Sequence, residues 1–315
     1  MDKKHIAIIG LGGVGGYFGF KISKNNELHK KYHISFIARA KTYEKVKKEG
    51  LKLRSPEHKD DCTYPDAIHT TIGEIKNPDL IFICVKEYDL ESICKQLSEV
   101  ISPNTVIIPM MNGADIYDRI RELLPNTGIL PSCVYVASHI KEKGIVEHKG
   151  KTGHLIFGID PKYPSLDISW ILEVLKHSNI HFDYKQNAQV AIWTKFIFIA
   201  SFGLVTAKHN SSIGEVCTIP LQKEEATNIM QEIKLIADKK EIHLQETIIS
   251  NTFEKAATFP PTTPTSLQLD IHSGKGKNEL ELFAGAILKY GKEVHVKTSC
   301  TEHIYQQLKA SRSNP

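Results

Sequence analysis

Several things are missing from this 315-residue sequence, and each absence narrows the reading. No two of its six cysteines form a CxxC pair or a short framework spacing, so neither a disulfide scaffold nor a thiolate metal site is written into it. Most of those cysteines stand in apolar runs, where a free thiol behaves as a small hydrophobe, and the expected compartment is the reducing cytoplasm. The opening residues, Met1-Asp2-Lys3-Lys4-His5, carry no apolar signal core ahead of the first strand-like run. Charge of one sign is not massed anywhere: the formal balance is +4 with basic residues scattered, which argues against a nucleic-acid partner and suits a small anionic substrate. No internal repeat is evident, and the low-complexity content is limited to a polar tail at Ala310 to Pro315, expected to fray.

What is present is a change of texture near residue 185. Before it, short apolar runs alternate with amphipathic ones, the pattern of a parallel βαβ sheet. Strands are expected at Ile6–Ile9, His33–Ala38, Leu80–Val85 and Val106–Met111, and helices at Gly13–Asn25 and Asp89–Val100. A hairpin-rich stretch follows from about Ile129 to Phe157. From Gln186 onward long helical patterns dominate, Ala226–Lys240 and Leu280–Tyr290 among them, with a Pro260-Pro261 and Pro264 cluster between two helices. The expected fold is α/β: a Rossmann-type doubly wound domain over residues 1–185, then an all-α domain over 186–315, with the site in the cleft between them.

Gly10-Leu11-Gly12-Gly13-Val14-Gly15 matches G-x-G-x-x-G, placed as the motif requires between a four-residue apolar strand and a helix. Its glycines serve a tight turn, close approach of a pyrophosphate and close helix–strand packing, while the helix N-terminus supplies N–H donors. Members of this fold that bind NAD place an acid at the end of the second strand. That strand ends here in Ala38-Arg39-Ala40-Lys41, with a cation where the acid would stand. Arg39, assisted by Lys41, suits a 2′-phosphate, so the expected cofactor is NADP(H).

The segment from Ala188 to Ala207 is largely apolar, and Lys195 is its single charged residue. Three readings compete. A membrane span would place a costly lysine near its middle. A buried connecting helix would let the lysine reach water through its long stem. In the third, desolvation lowers the lysine pKa, and the ammonium stabilises and then protonates the oxygen of a carbonyl receiving a hydride.

Taken in order, these pieces resemble the ketopantoate reductases (2-dehydropantoate 2-reductases) over essentially the whole chain. The resemblance rests on the glycine motif, Cys84-Val85-Lys86, Asn112-Gly113, Gly144-Ile145-Val146-Glu147-His148, Trp193-Thr194-Lys195-Phe196, and Ser266-Leu267-Gln268-Leu269-Asp270 followed by Glu279-Leu280-Glu281. It implies Lys195 as the proton donor and Glu279 as the glutamate near the nicotinamide and the reacting hydroxyl. Lys86 and Asn112 fall on cofactor-contacting positions, and Asn112, Lys195 and Ser266 on substrate-contacting ones. Plainer readings stand beside these: Lys86 as a solvated strand end, Asn112-Gly113 as a turn, Ser266 as a helix cap, Glu279 as a surface acid.

Departures from the family pattern are as informative. Asparagines expected on and after the lysine helix are replaced by Ile199, Gly203 and Ile213, and one extra residue stands between Asp270 and Glu279, within Gly274–Asn278. Asn210, Ser211 and Ser212 are candidates to compensate for the lost polar contacts. The expected reaction is therefore NADPH-dependent reduction of a small 2-oxo acid, with ketopantoate first and another 2-oxo acid second. A non-catalytic NADP(H) redox sensor is the rival of a different class. The expected partners are a small 2-oxo acid with no nucleic acid, metal or membrane, and the sequence is compatible with a homodimer without specifying one.

Overall fold

Four consecutive apolar residues, Ile6 to Ile9, can all be buried only in a strand paired on both edges and covered on both faces, and all four are. The computed structural model describes residues 3–59, 61–274 and 276–313. The strands are β1 (His5–Ile9), β2 (His33–Ile37), β3 (Leu51–Arg54), β4 (Asp61–Thr63), β5 (Ala67–His69), β6 (Leu80–Ile83) and β7 (Val106–Pro109). They continue with β8 (Gly128–Ile129), β9 (Ser132–Tyr135), β10 (Ser138–Glu142), β11 (Ile145–His148), β12 (His154–Gly158) and β13 (His181–Lys185). The helices of the same region are α1 (Gly13–His29), α2 (Ala40–Glu49), α3 (Glu87–Leu97), α4 (Ile116–Leu123) and α5 (Ser169–His177).

Six strands form one parallel sheet in the order β5-β2-β1-β6-β7-β8. The chain leaves β1 toward β2 on one side and later enters β6 on the other, so the order of winding reverses at β1. Register keeps the strand ends level. Ile9 stands opposite Ile37 and Ile83, and Ile83 opposite Pro109. The carboxyl ends of β2, β1, β6 and β7 thus share one edge, where open parallel sheets bind ligands.

The hairpin expected in the 129–157 stretch is β10–β11, joined by a bulge and a turn at Gly144. Its sheet is completed from far upstream: β11 pairs in parallel with β3, which pairs antiparallel with β4. Neither β3 nor β4 is marked by sequence pattern, because Leu51–Arg54 and Asp61–Thr63 are too short for periodicity to register. A third sheet places β12 between β9 and β13. Helix α1 packs against both the six-stranded and the four-stranded sheets. It is consequently buried around most of its circumference, from Gly15 to Ser23.

The chain divides into two compact units. The first runs to Asn112 and resumes over Ile116–Ala188; the second comprises Gly113–Asp115 and the residues from Gln189 onward. Helices of the second are α6 (Gln189–His209), α7 (Ile213–Thr218), α8 (Pro220–Lys239), α9 (Ile248–Ala256), α10 (Ser266–His272), α11 (Ala286–Glu293) and α12 (Ser299–Ser313). The helix expected over Leu280–Tyr290 is broken in character, with a π-helical turn at Glu281–Gly285 preceding α11. The tail from Ala310, expected to fray, remains helical to Ser313; Asn314 and Pro315 lie outside the described residues, as do Met1 and Asp2 of the opening segment.

α6 is the core of the second unit, with α8, α10, α12 and the π-helical turn packed on it. It is long and apolar enough to cross a membrane by composition, yet most of it is buried inside the protein. Between Ile192 and Ala207 only Thr194 and Ile199 are less than fully buried. An all-round apolar helix is what a helical shell on several sides requires.

Candidate active site

The first cluster of site residues grows from the end of β1. Gly10 has φ +90°, and a side chain there would meet the Cys84 carbonyl at 2.8 Å and Val85 Cγ1 at 3.0 Å. Its N–H donates to the Ile37 carbonyl at 3.0 Å, tying the turn to the end of β2. A Cβ on Gly15 would run into the Gly10 carbonyl, and one on Gly13 into the Ser138 carbonyl. These glycines are fixed by packing. Gly12 differs: a Cβ built on it finds no atom within 4 Å. Gly12 is also the N-cap residue of α1, which has no side-chain cap and no acid in its first turn. An uncapped helix start beside open space leaves N–H donors for an anion, so the residues present fit the pyrophosphate of a dinucleotide.

Leu11 is buried and Val14 packs on the core, holding the turn from below. Cys84, half-buried, lies against Gly10 and Gly15, and desolvation raises its thiol pKa, which disfavours the thiolate. Lys86, half-buried, is the N-cap residue of α3 just past β6. Asn112, also half-buried, follows β7. The sheet order therefore brings the glycine turn, Arg39, Lys86 and Asn112 to one edge, although the sequence spreads them over a hundred residues.

Arg39 is exposed, and its guanidinium is already engaged: Nη2 donates to Asp89 Oδ2 at 2.7 Å. That bond holds the Arg39 pKa above its ordinary value. Ala40, the next residue, adopts φ +47°, an uncommon left-handed conformation for a residue with a Cβ. Asp89, in the first turn of α3, is the residue of this cluster that sequence reasoning passed over. Its signal was available only once β2 and β6 were known to flank β1.

The second cluster lies on α6. Lys195 is buried at 9% exposure, and Ile199 and Gly203 follow it at successive four-residue steps on the same face. α10 covers the far end of this face, where Leu267 packs on Gly203. Thr206 and Thr265 pair through their hydroxyls at 2.7 Å. Thr265, not Ser266, is the cap of α10: its Oγ1 accepts from the Gln268 N–H, and Gln268 Oε1 accepts from the Thr265 N–H. Ser266 is left exposed at the first helical position.

Glu279 is buried at 4% exposure two residues before the start of the π-helical turn, a feature often found at functional positions. Glu281, two residues on, points outward and is held by Tyr305 and Lys309. The extra residue before Glu279 falls in a segment whose Lys275 lies outside the described residues. The three polar residues that are candidates to compensate for lost asparagines each have a partner within the fold. Asn210 accepts from Gln268, Ser211 donates to Gln222, and Ser212 caps α7 with Glu215. Ile213 is buried as the first residue of α7.

Residues 6–162 match the model for ketopantoate reductase PanE/ApbA, and residues 187–312 match the model for its C-terminal domain. The chain belongs to the ketopantoate reductase family, whose members are oxidoreductases acting on CH–OH groups. It is 23% identical over 303 residues to the uncharacterized oxidoreductase YkpB of Bacillus subtilis, covering 96% of each chain. Against a 2-dehydropantoate 2-reductase of Archaeoglobus fulgidus it is 25% identical over 316 residues, covering 99% of both. Its fold is also that of a D-mandelate dehydrogenase solved with NADH and anilino(oxo)acetate, with a TM-score of 0.84 at 17% identity and 98% coverage of each chain.

Proposed function

We propose that this chain reduces the ketone of a small 2-oxo acid to the 2-hydroxy acid with NADPH, and that 2-dehydropantoate, giving pantoate for pantothenate and coenzyme A synthesis, is its first substrate. The first unit is the dinucleotide-binding domain and the second the catalytic and substrate domain. The observation that carries the reading is Lys195, the one charged residue buried in the largely apolar core of α6. A buried ammonium is costly to maintain and is retained where a reaction uses it.

When bound, the reduced nicotinamide supplies the electron pair and hydrogen that reach the carbonyl carbon. Lys195 meets the negative charge that develops on the carbonyl oxygen and gives it a proton, completing the hydroxyl. Glu279 orients the ammonium and the nascent hydroxyl. Ser266 and Asn112 hold the substrate, while Lys86 and Asn112 hold the cofactor with the turn at Gly10 to Gly15. Arg39 takes the 2′-phosphate, in line with the absence of an acid at the end of β2. Six free thiols suit a cytoplasmic setting.

A second reading keeps the chemistry and changes the acid. Ile199 and the packing of Leu267 on Gly203 make this stretch of α6 apolar where the family resemblance places asparagines. A site without those amides favours a 2-oxo acid with an apolar side chain over a hydroxylated one.

NADPH oxidation with 2-dehydropantoate and a panel of aliphatic and aromatic 2-oxo acids tests both. Lys195→Ala is expected to lower kcat/KM by about 10²–10⁴-fold without changing dinucleotide affinity. Near-normal turnover in that variant would remove Lys195 as the acid. Turnover of another acid but not of 2-dehydropantoate would move the substrate while leaving the mechanism in place.

A further inference from the structure

Arg39 lies just past the end of β2 and α3 follows β6, and these strands flank β1 on opposite sides, so a side-chain bond between Arg39 and α3 crosses the carboxyl edge beyond β1. Arg39 and Asp89 make that bond, at 2.7 Å. The pair has unequal members. The Arg39 side chain is 75% exposed, whereas that of Asp89 is 16% exposed and sits in the first turn of α3, its backbone N–H donating to the Lys86 carbonyl at 3.0 Å. Asp89 is thus a largely buried carboxylate beside the cradle, and Arg39 is a solvent-facing cation paired with it.

We propose that Asp89 supplies the ribose-hydroxyl acceptor that is missing from the end of β2, so that the Arg39–Asp89 pair lets one site take both NADH and NADPH. This rests on the reading of the glycine turn as a dinucleotide site and of Arg39 as the 2′-phosphate ligand.

The chemistry follows from the two partners. A ribose 2′-hydroxyl is a donor, and an ionised carboxylate accepts its hydrogen bond. A 2′-phosphate is anionic and accepts only, so it is repelled by Asp89 and requires the guanidinium. While Arg39 rests on Asp89 the local charge is balanced, and neither form of the adenosine ribose is strongly rejected. When a phosphate arrives, Arg39 exchanges one anionic partner for another, and part of the attraction is spent in leaving Asp89. Ala40, left-handed at φ +47°, turns the chain into α2 directly after Arg39. Discrimination between the dinucleotides is therefore set by two residues of opposite charge, one for each cofactor, and is expected to be shallow.

Calorimetric or fluorescence titration of the full chain with NADPH, NADH, 2′,5′-ADP and 5′-AMP tests this without reference to turnover. The wild type is expected to bind NADH and NADPH within about tenfold of each other. Asp89→Asn should weaken NADH and 5′-AMP by about tenfold while leaving 2′,5′-ADP equal or tighter; Arg39→Ala should weaken NADPH and 2′,5′-ADP by a similar factor and spare NADH. Asp89→Ala, with its thermal melt, guards against an effect of the amide itself. If Asp89→Asn shifts both cofactors equally or neither, while Arg39→Ala still moves their ratio, Asp89 is no ribose acceptor and the proposal falls alone. An unchanged ratio in Arg39→Ala would remove the phosphate ligand, and the NADP(H) reading would fall together with it.

Discussion

Leu267 lies across Gly203: a Cβ on the glycine would stand 3.6 Å from Leu267 Cβ and 3.7 Å from its Cδ2. That spacing is ordinary van der Waals contact, so α6 and α10 are close without the glycine being sterically required. Gly203→Ala is therefore predicted to stabilise the protein by about 0.5–1 kcal/mol, through lower chain entropy in the unfolded state and better helix propensity. Gly203→Asn must displace Leu267 and is predicted to cost about 1–3 kcal/mol. Denaturant unfolding of the two variants checks this. A destabilised alanine variant would mean that α10 sits tighter on α6 than these distances allow.

The glycine turn offers a way to separate architecture from ligand binding. Gly12 has φ −75° and faces open space, so Gly12→Ala should leave unfolding free energy within about 0.5 kcal/mol of wild type. It should nevertheless weaken dinucleotide binding by about tenfold or more, because the new methyl occupies the space a pyrophosphate needs. Gly13→Ala drives a methyl into the Ser138 backbone, which cannot yield as a side-chain tip can, and should destabilise the fold by about 1–3 kcal/mol. Equal stability losses in the two variants would contradict the distinction.

Glu225 joins α8 to the end of α6, with Lys208 donating to its Oε1 and His209 Nε2 lying 2.7 Å from its Oε2. Burial alone would raise its pKa, but the bonds from Lys208 and His209 outweigh burial and hold it below the ordinary value. The unfolded chain therefore binds this proton more readily than the folded one. The stabilisation is complete above the unfolded value of about 4.3 and is lost as pH falls through the lower folded pKa. Glu225→Gln should cost about 1–3 kcal/mol at neutral pH, with the two stability curves converging toward the acid limb. Parallel curves from neutral to acid pH would show that the carboxylate charge carries none of the effect.

Where the sequence was legible, the signal was local. Ile6–Ile9 and Leu80–Ile83 are unbroken apolar runs, and a buried parallel strand is the short element that suits them. The stop at Gly10 and the start at Gly13 mark the turn between strand and helix. Lys195 announces itself by contrast with its neighbours. Assignment failed where local signals are ambiguous. Thr265 and Ser266 are both plausible caps, and only the reciprocal bond with Gln268 distinguishes them. The helix expected at Leu280 reads as ordinary α-helix, and its π-helical opening leaves no mark in residue periodicity.

The sequence by itself determined the parallel sheet, the glycine turn at its edge and the burial of a lone lysine, because each depends on residues within one element. Tertiary structure decided everything that depends on which elements are neighbours. The reversal of strand order at β1 puts Asp89 against Arg39, fifty positions away, and the packing of α10 puts Leu267 against Gly203. It also chose the partners of Asn210, Ser211 and Ser212, which are Gln268, Gln222 and Glu215. Periodicity records which face of an element is buried, whereas the partner on that face is chosen by chain topology.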